Sequence, residues 1–102
     1  MSRLEQLQKL RAMSPQDPLA HYVLGLEYLN REQWEDAIAA FDDALRVDPK
    51  YAAAYYHKAR AEIKAGRRAA ARGTLKIGVE IATATGDLKT VKEMQQLADT
   101  AT

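Results

Sequence analysis

Residues 19–29 read LAHYVLGLEYL, a stretch in which an apolar or aromatic side chain falls on nearly every side of a helical wheel. A helix of that kind has no dry side left to give to water, so it must be contacted on several faces. Asp17 and Pro18 directly ahead of it form a start signal, the carboxylate capping free amide groups and the proline filling the first helical position. Gly25 in its middle lowers helix propensity, which points to a second backbone approaching closely there.

Working outward, residues 2–13 place Leu4, Leu7, Leu10 and Met13 on one stripe, with Ser2 and Glu5 at the spacing of a capping box. SPQDP, residues 14–18, is a turn. Beyond the opening stretch, residues 30–33 make a short polar connection. Residues 34–47, WEDAIAAFDDALRV, then put Trp34, Ala37, Ile38, Phe41, Ala44, Leu45 and Val47 on one helical face. So short a link predicts antiparallel neighbours. Asp48 and Pro49 repeat the punctuation of Asp17 and Pro18. A helix over 52–65 carries Tyr55, Tyr56, Ala59 and Ile63 and ends at Gly66. Another over 67–83 turns Ala71, Leu75, Gly78, Val79 and Ile81 inward. Gly86 and Asp87 stop it and cap a last helix, 88–98, with Leu88, Val91, Met94, Leu97 and Ala98 as its apolar set. The reading is six helices and no strand.

Composition agrees and narrows the function classes. A chain of 102 residues fits one domain, and 47% hydrophobic residues with few prolines and glycines favour a folded helical protein. A net charge of +1 implies no polyanion partner for the chain as a whole. With no cysteine there is no disulfide, thiolate catalysis or cysteine-bound zinc. The first residues are too charged for a signal peptide and no apolar run spans a bilayer, so the expected location is cytoplasmic and no membrane partner is expected.

The pattern that decides the fold is an internal repeat of 34 residues. Shifting the chain by that amount lays Ala20 on Ala54, Tyr22 on Tyr56, Gly25 on Ala59, Leu29 on Ile63, Ala37 on Ala71, Phe41 on Leu75, Ala44 on Gly78 and Leu45 on Val79. Small residues fall on small ones and large apolar residues on large ones. Two copies of one helix hairpin stacked side by side need that pattern.

At these spacings the chain resembles the tetratricopeptide repeat family. His21, Leu24, Gly25, Tyr28, Ala37, Phe41 and Pro49 match its signature of Trp-x2-Leu-Gly-x2-Tyr, Ala-x3-Phe and Pro, with His21 in place of the leading aromatic. The second copy is weaker, because Lys58 and Glu62 occupy usually apolar slots and the closing proline is missing. The resemblance implies an all-α fold of antiparallel helix hairpins stacked as a short right-handed superhelix. Its expected parts are a half repeat over 2–13, repeats over 18–49 and 52–83, and a capping helix over 87–98. Strict register would point Lys89, Lys92 and Glu93 inward, so the last helix is expected to rotate and bring Leu88 and Val91 to the contact.

Little in the chain carries chemistry. Neither His21 nor His57 has a second ligand at metal spacing, and there is no phosphate loop or nucleophile turn. His21 reads as a packing residue. Glu35, Asp36, Asp42 and Asp43 read as a solvated helix back. No enzyme activity, cofactor or metal is expected. Charge is split between an acidic first repeat and a basic second one. Arg68, Arg72 and Lys76 lack interleaved aromatics, so nucleic acid is not an expected partner.

The resemblance places the first helix of each repeat on a concave surface. That exposes Tyr22, Val23, Leu26, Leu29 and Asn30 from one copy and Tyr56, His57, Arg60, Ile63 and Lys64 from the other. An apolar floor with basic residues to one side suits a protein or peptide segment carrying acidic residues. The alternative is a homo-oligomer in which this groove is the subunit interface. A lysine and asparagine clamp for chaperone carboxyl termini, known in one subclass of the family, is not expected. Tyr22 and Leu26 stand in its first-repeat positions.

Overall fold

The computed structural model describes residues 1–101, which form six α-helices and no strand. These are α1 (Arg3–Met13), α2 (Pro18–Asn30), α3 (Trp34–Val47), α4 (Ala52–Lys64), α5 (Arg68–Thr85) and α6 (Leu88–Thr100). The caps read from the sequence are in place. Ser2 Oγ accepts from the Glu5 amide at 3.1 Å while Glu5 reaches back to the Ser2 amide. Asp17 accepts from the Leu19 amide at 2.9 Å, with Pro18 in the first turn. Gly86 ends α5 in the left-handed region (φ 78°), and Asp87 caps α6 through the Thr90 amide.

Asp48 and Pro49 behave differently from Asp17 and Pro18. Asp48 closes α3 and accepts from the Lys50 amide, whereas α4 begins at Ala52, one period after Pro18. Pro49 is therefore the counterpart of Pro15. Both proline carbonyls receive a bond from six residues downstream: His21 Nε2 donates to Pro15 O at 2.8 Å, and Tyr55 Oη donates to Pro49 O at 2.7 Å. The histidine in the aromatic slot thus keeps that bond, and at 6% exposure it is buried.

The hairpins α2–α3 and α4–α5 stack through α3 against α4, with α1 packed on α2 and α6 on α5 and α4. Inner helices α2 and α4 touch, as do α4 and α6, while among the described residues α1, α3 and α5 do not touch one another. The stack is therefore tighter along the α2–α4–α6 side, which becomes the inside of its curve.

One core cluster joins Leu24, Tyr28, Ile38, Phe41 and Ala44 to Ala54 and Ala61, and a second joins Ala59, Ala71, Leu75 and Met94. Gly25 is a point of close approach, though to a side chain and not a backbone. A Cβ there would lie 2.5 Å from Phe41 Cε1. The polar residues in apolar slots find partners: Lys58 pairs with Asp42 at 2.7 Å, and buried Glu62 accepts from Thr74 Oγ1 at 2.6 Å. Glu27, one of the acidic residues of the first repeat, is buried and held by Arg3 (2.8 Å) and Arg31 (2.9 Å).

The last helix does leave strict register, but by a different rotation. Leu88 is 71% exposed, Val91 half-buried, and Met94 is the residue fully buried against α5. Strict register would set Lys92 beside Lys76, the positions that Lys58 and Asp42 hold one repeat earlier. Like charges oppose that arrangement, whereas the notch at Gly78 accepts the Met94 thioether, whose sulfur lies 2.9 Å from where a Cβ would stand.

Candidate peptide-binding groove

The inner surface between α2 and α4 divides into two parts. Near the start of the helices lies an aromatic group: Tyr22 stands 4.9 Å from Tyr51 and 5.7 Å from His57, ring centre to ring centre. His57 also stacks on Phe41 at 6.1 Å and meets Tyr56 edge-on at 5.0 Å. These separations are those of favourable aromatic pairs. Burial, and secondarily the Arg60 guanidinium, lowers the His57 pKa from its ordinary 6.5 to about 4. Arg60 Nη1 donates to His57 Nδ1 at 3.2 Å, which places the proton of the neutral ring on Nε2. Tyr22 is raised above the usual tyrosine range, chiefly by burial and then by Tyr51.

Towards the ends of the helices a pocket of about 110 Å³ is lined by Leu26, Leu29, Asn30, Trp34, Arg60 and Lys64. The leucines and Trp34 are half-buried, while Asn30, Arg60 and Lys64 are exposed. Among the described residues Arg60 and Lys64 form no ion pair, whereas Lys58 on the same helix is neutralised by Asp42.

The repeat is also visible outside this chain. The tetratricopeptide repeat family matches residues 22–84, more than half of the sequence. The chain belongs to the tetratricopeptide repeat family. Members of this family mediate protein–protein interactions on a scaffold that is typically non-catalytic. Three solved structures agree in fold. A tetratricopeptide repeat domain protein of Salinibacter ruber is 31% identical with a TM-score of 0.77, over 85% of this chain and 88% of that one. Protein BPP2914 of Bordetella parapertussis is 29% identical with a TM-score of 0.85, over 99% and 88%. The TPR2B domain of yeast Sti1, solved as a complex with pHsp70, has a TM-score of 0.92 over 96% of this chain and 78% of that one, and at 22% identity it shows the fold alone. No curated protein matches the chain in sequence. No helix among the described residues is long and apolar enough to cross a membrane.

Within the repeat fold, five of the ten residues read from sequence as lining a groove meet in the pocket: Leu26, Leu29, Asn30, Arg60 and Lys64. Tyr22, Tyr56 and His57 form the aromatic group beside it. Tyr56 and Ile63 also pack towards the second core cluster, nearer α6, and Val23 is half-buried on α2. Trp34 was assigned by sequence to the packing face of α3 alone. Its position at the first turn of that helix, directly after the α2–α3 link, was the signal that it could also reach the end of the groove.

Proposed function

We propose that the protein acts by binding, not by catalysis, and that the α2–α4 groove holds an extended or helical peptide segment carrying acidic residues. The observation that supports this reading is the pocket just described. Leu26, Leu29 and Trp34 offer apolar surface beneath two cations, Arg60 and Lys64, that form no ion pair among the described residues. Apolar contacts supply affinity in such an interface, while the unpaired cations steer and select an acidic partner. A cytoplasmic setting suits a chain without cysteine.

Trp34 is the single tryptophan, so its fluorescence reports on the groove directly. Acidic, neutral and basic peptide pools titrated against the protein should shift that signal, with the acidic pool binding tightest. Arg60→Glu should weaken acidic peptides about tenfold, roughly 1.4 kcal/mol, with helicity unchanged. Unchanged binding would sink the assignment. A dimer that Leu26→Glu dissociates would instead give this face to a second subunit.

A further inference from the structure

The packing order carries an inference about the two ends of the stack. Inner helix α2 lies against outer helices α1 and α3, and inner α4 against outer α3 and α5. Outer α3 lies against inner α2 and α4, and outer α5 against inner α4 and α6. Among the described residues, α1 has a single inner neighbour, α2, and α6 a single outer neighbour, α5. Each end helix is thus of the type that the other end lacks.

Both open faces are apolar. Leu4, Leu7 and Leu10 stand one period before Ile38, Phe41 and Ala44, which with two inner neighbours are 8%, 0% and 0% exposed. On α1 the same positions are half-buried at Leu4 and Leu7 and 44% exposed at Leu10, and Met13 beyond them is 73% exposed. At the other end a groove of about 480 Å³ runs between α5 and α6, floored by Leu75, Val79, Met94 and Ala98. Its position follows from the chain's own pattern. On α4, Ala61 joins the cluster with α3, and Glu62, about 100° further round the helix, faces α5 through Thr74. On α6, Met94 faces α5, and Gln95, about 100° further round, lines the groove. The groove therefore lies where an outer helix would pack on α6.

We propose that the occupant is α1 of a second copy of this chain, docked head to tail so that α6 of one copy and α1 of the next complete a hairpin. Continuity with the α2–α3 and α4–α5 interfaces carries the proposal, because the junction repeats their helix types. The interface is heterologous, so copies add in series and form open chains, not a closed dimer. The α2–α4 groove stays free, and the proposal is independent of what that groove binds.

The chain has no cysteine, which permits a direct test with single-cysteine variants of the whole protein. Leu10→Cys mixed with Lys76→Cys should cross-link through a short bismaleimide, while each variant alone should remain uncross-linked. Sedimentation across a wide dilution series should show an average mass that rises past the dimer. Leu10→Glu, at a site already exposed, should weaken association about tenfold or more with an unchanged circular dichroism spectrum. A protein that stays monomeric throughout, or variants that cross-link only with themselves, would overturn the proposal.

Discussion

Replacing Gly25 by alanine sets two effects of known size against each other. In an ordinary helix interior the change gains about 1 kcal/mol, because glycine loses more backbone freedom on folding. At Gly25 the added methyl carbon would stand 2.5 Å from Phe41 Cε1 and 2.8 Å from both Cδ1 and Cζ, well inside van der Waals contact. The Phe41 ring is fully buried, with the Tyr22 ring 6.0 Å and the His57 ring 6.1 Å away, so it has little room to turn aside. Overpacking of this kind costs about 1–3 kcal/mol, and a ring so enclosed belongs near the top of that range. The expected net result is a loss of about 1–2 kcal/mol, or a Tm lower by roughly 5–15 °C for a domain of this size.

Gly73 supplies the control. It sits in the exposed middle of α5 with nothing within 4 Å of a built Cβ, so Gly73→Ala should gain about 1 kcal/mol from propensity alone. Thermal and urea melts followed by circular dichroism would compare the two. Gly25→Leu should lose more than Gly25→Ala, and adding Phe41→Leu should recover part of the Gly25→Ala loss in a double-mutant cycle. A Gly25→Ala protein as stable as the parent would refute the reasoning, because it would show that Phe41 yields.

Glu32 holds φ at 59°, the left-handed turn position that Gly66 fills one period later at φ 82°, so Glu32→Gly should stabilise by about 1 kcal/mol in a urea melt. His57 has a folded pKa of about 4 against an ordinary 6.5, so between those values the unfolded chain takes up a proton that the folded one refuses. Stability should therefore be complete above pH 6.5 and decline as pH falls towards 4, by about 1–2 kcal/mol once solvent screening is allowed for. His57→Phe should flatten that part of the profile, and an unaltered slope would assign the loss to other groups. Trp34→Ala should weaken peptide binding in the groove without moving the helical signal, as read by isothermal titration; tight binding by that variant would exclude the tryptophan from the contact.

The fold was legible because its information is periodic. Phe41 falling on Leu75 and Ala44 on Gly78 states which slots are large and which are tight, whatever the partner across the gap. The same shift holds a signal that a reading by motif passes over: Glu32 falls on Gly66, so its turn conformation could have been read from the repeat. What periodicity does not encode is which atom fills a tight slot. Gly25 marks a close approach, and only packing shows that an aromatic ring makes it. The burial of Glu27 does not show in the repeat, because its compensating charges, Arg3 and Arg31, lie outside its own repeat slot. Leu88 looked buried because it belongs to the apolar set of α6, but the rotation of that helix is set by the Lys76 and Lys92 conflict and by the Gly78 notch, both features of a neighbour.

The charge split between the repeats takes a more specific meaning from these contacts. Read as a bulk property, an acidic first repeat beside a basic second one is a field that could steer any acidic partner. In the structure, part of that asymmetry closes on itself. Asp42 binds Lys58 and Glu35 binds Arg67, each joining the first hairpin to the second. Lys58 stands in the slot that Leu24 fills one repeat earlier, and its side chain is only 22% exposed, so the pair helps to fix how the hairpins sit as well as balancing charge. Exposed ion pairs of this kind contribute little energy, on the order of 1 kcal/mol or less, but a mispaired register would leave Lys58 beside apolar surface with no carboxylate in reach. The same pairing decides which cations face the groove without a carboxylate partner among the described residues. Lys58 is taken on the outer side of α4, and Arg60 and Lys64 are left on the inner side, over Leu26, Leu29 and Trp34. Acidic character in a bound segment is therefore expected opposite these two residues and not across the whole basic repeat. Charge reversal at Arg68 or Lys76 should leave acidic-peptide affinity within about a factor of two, while reversal at Arg60 or Lys64 should not.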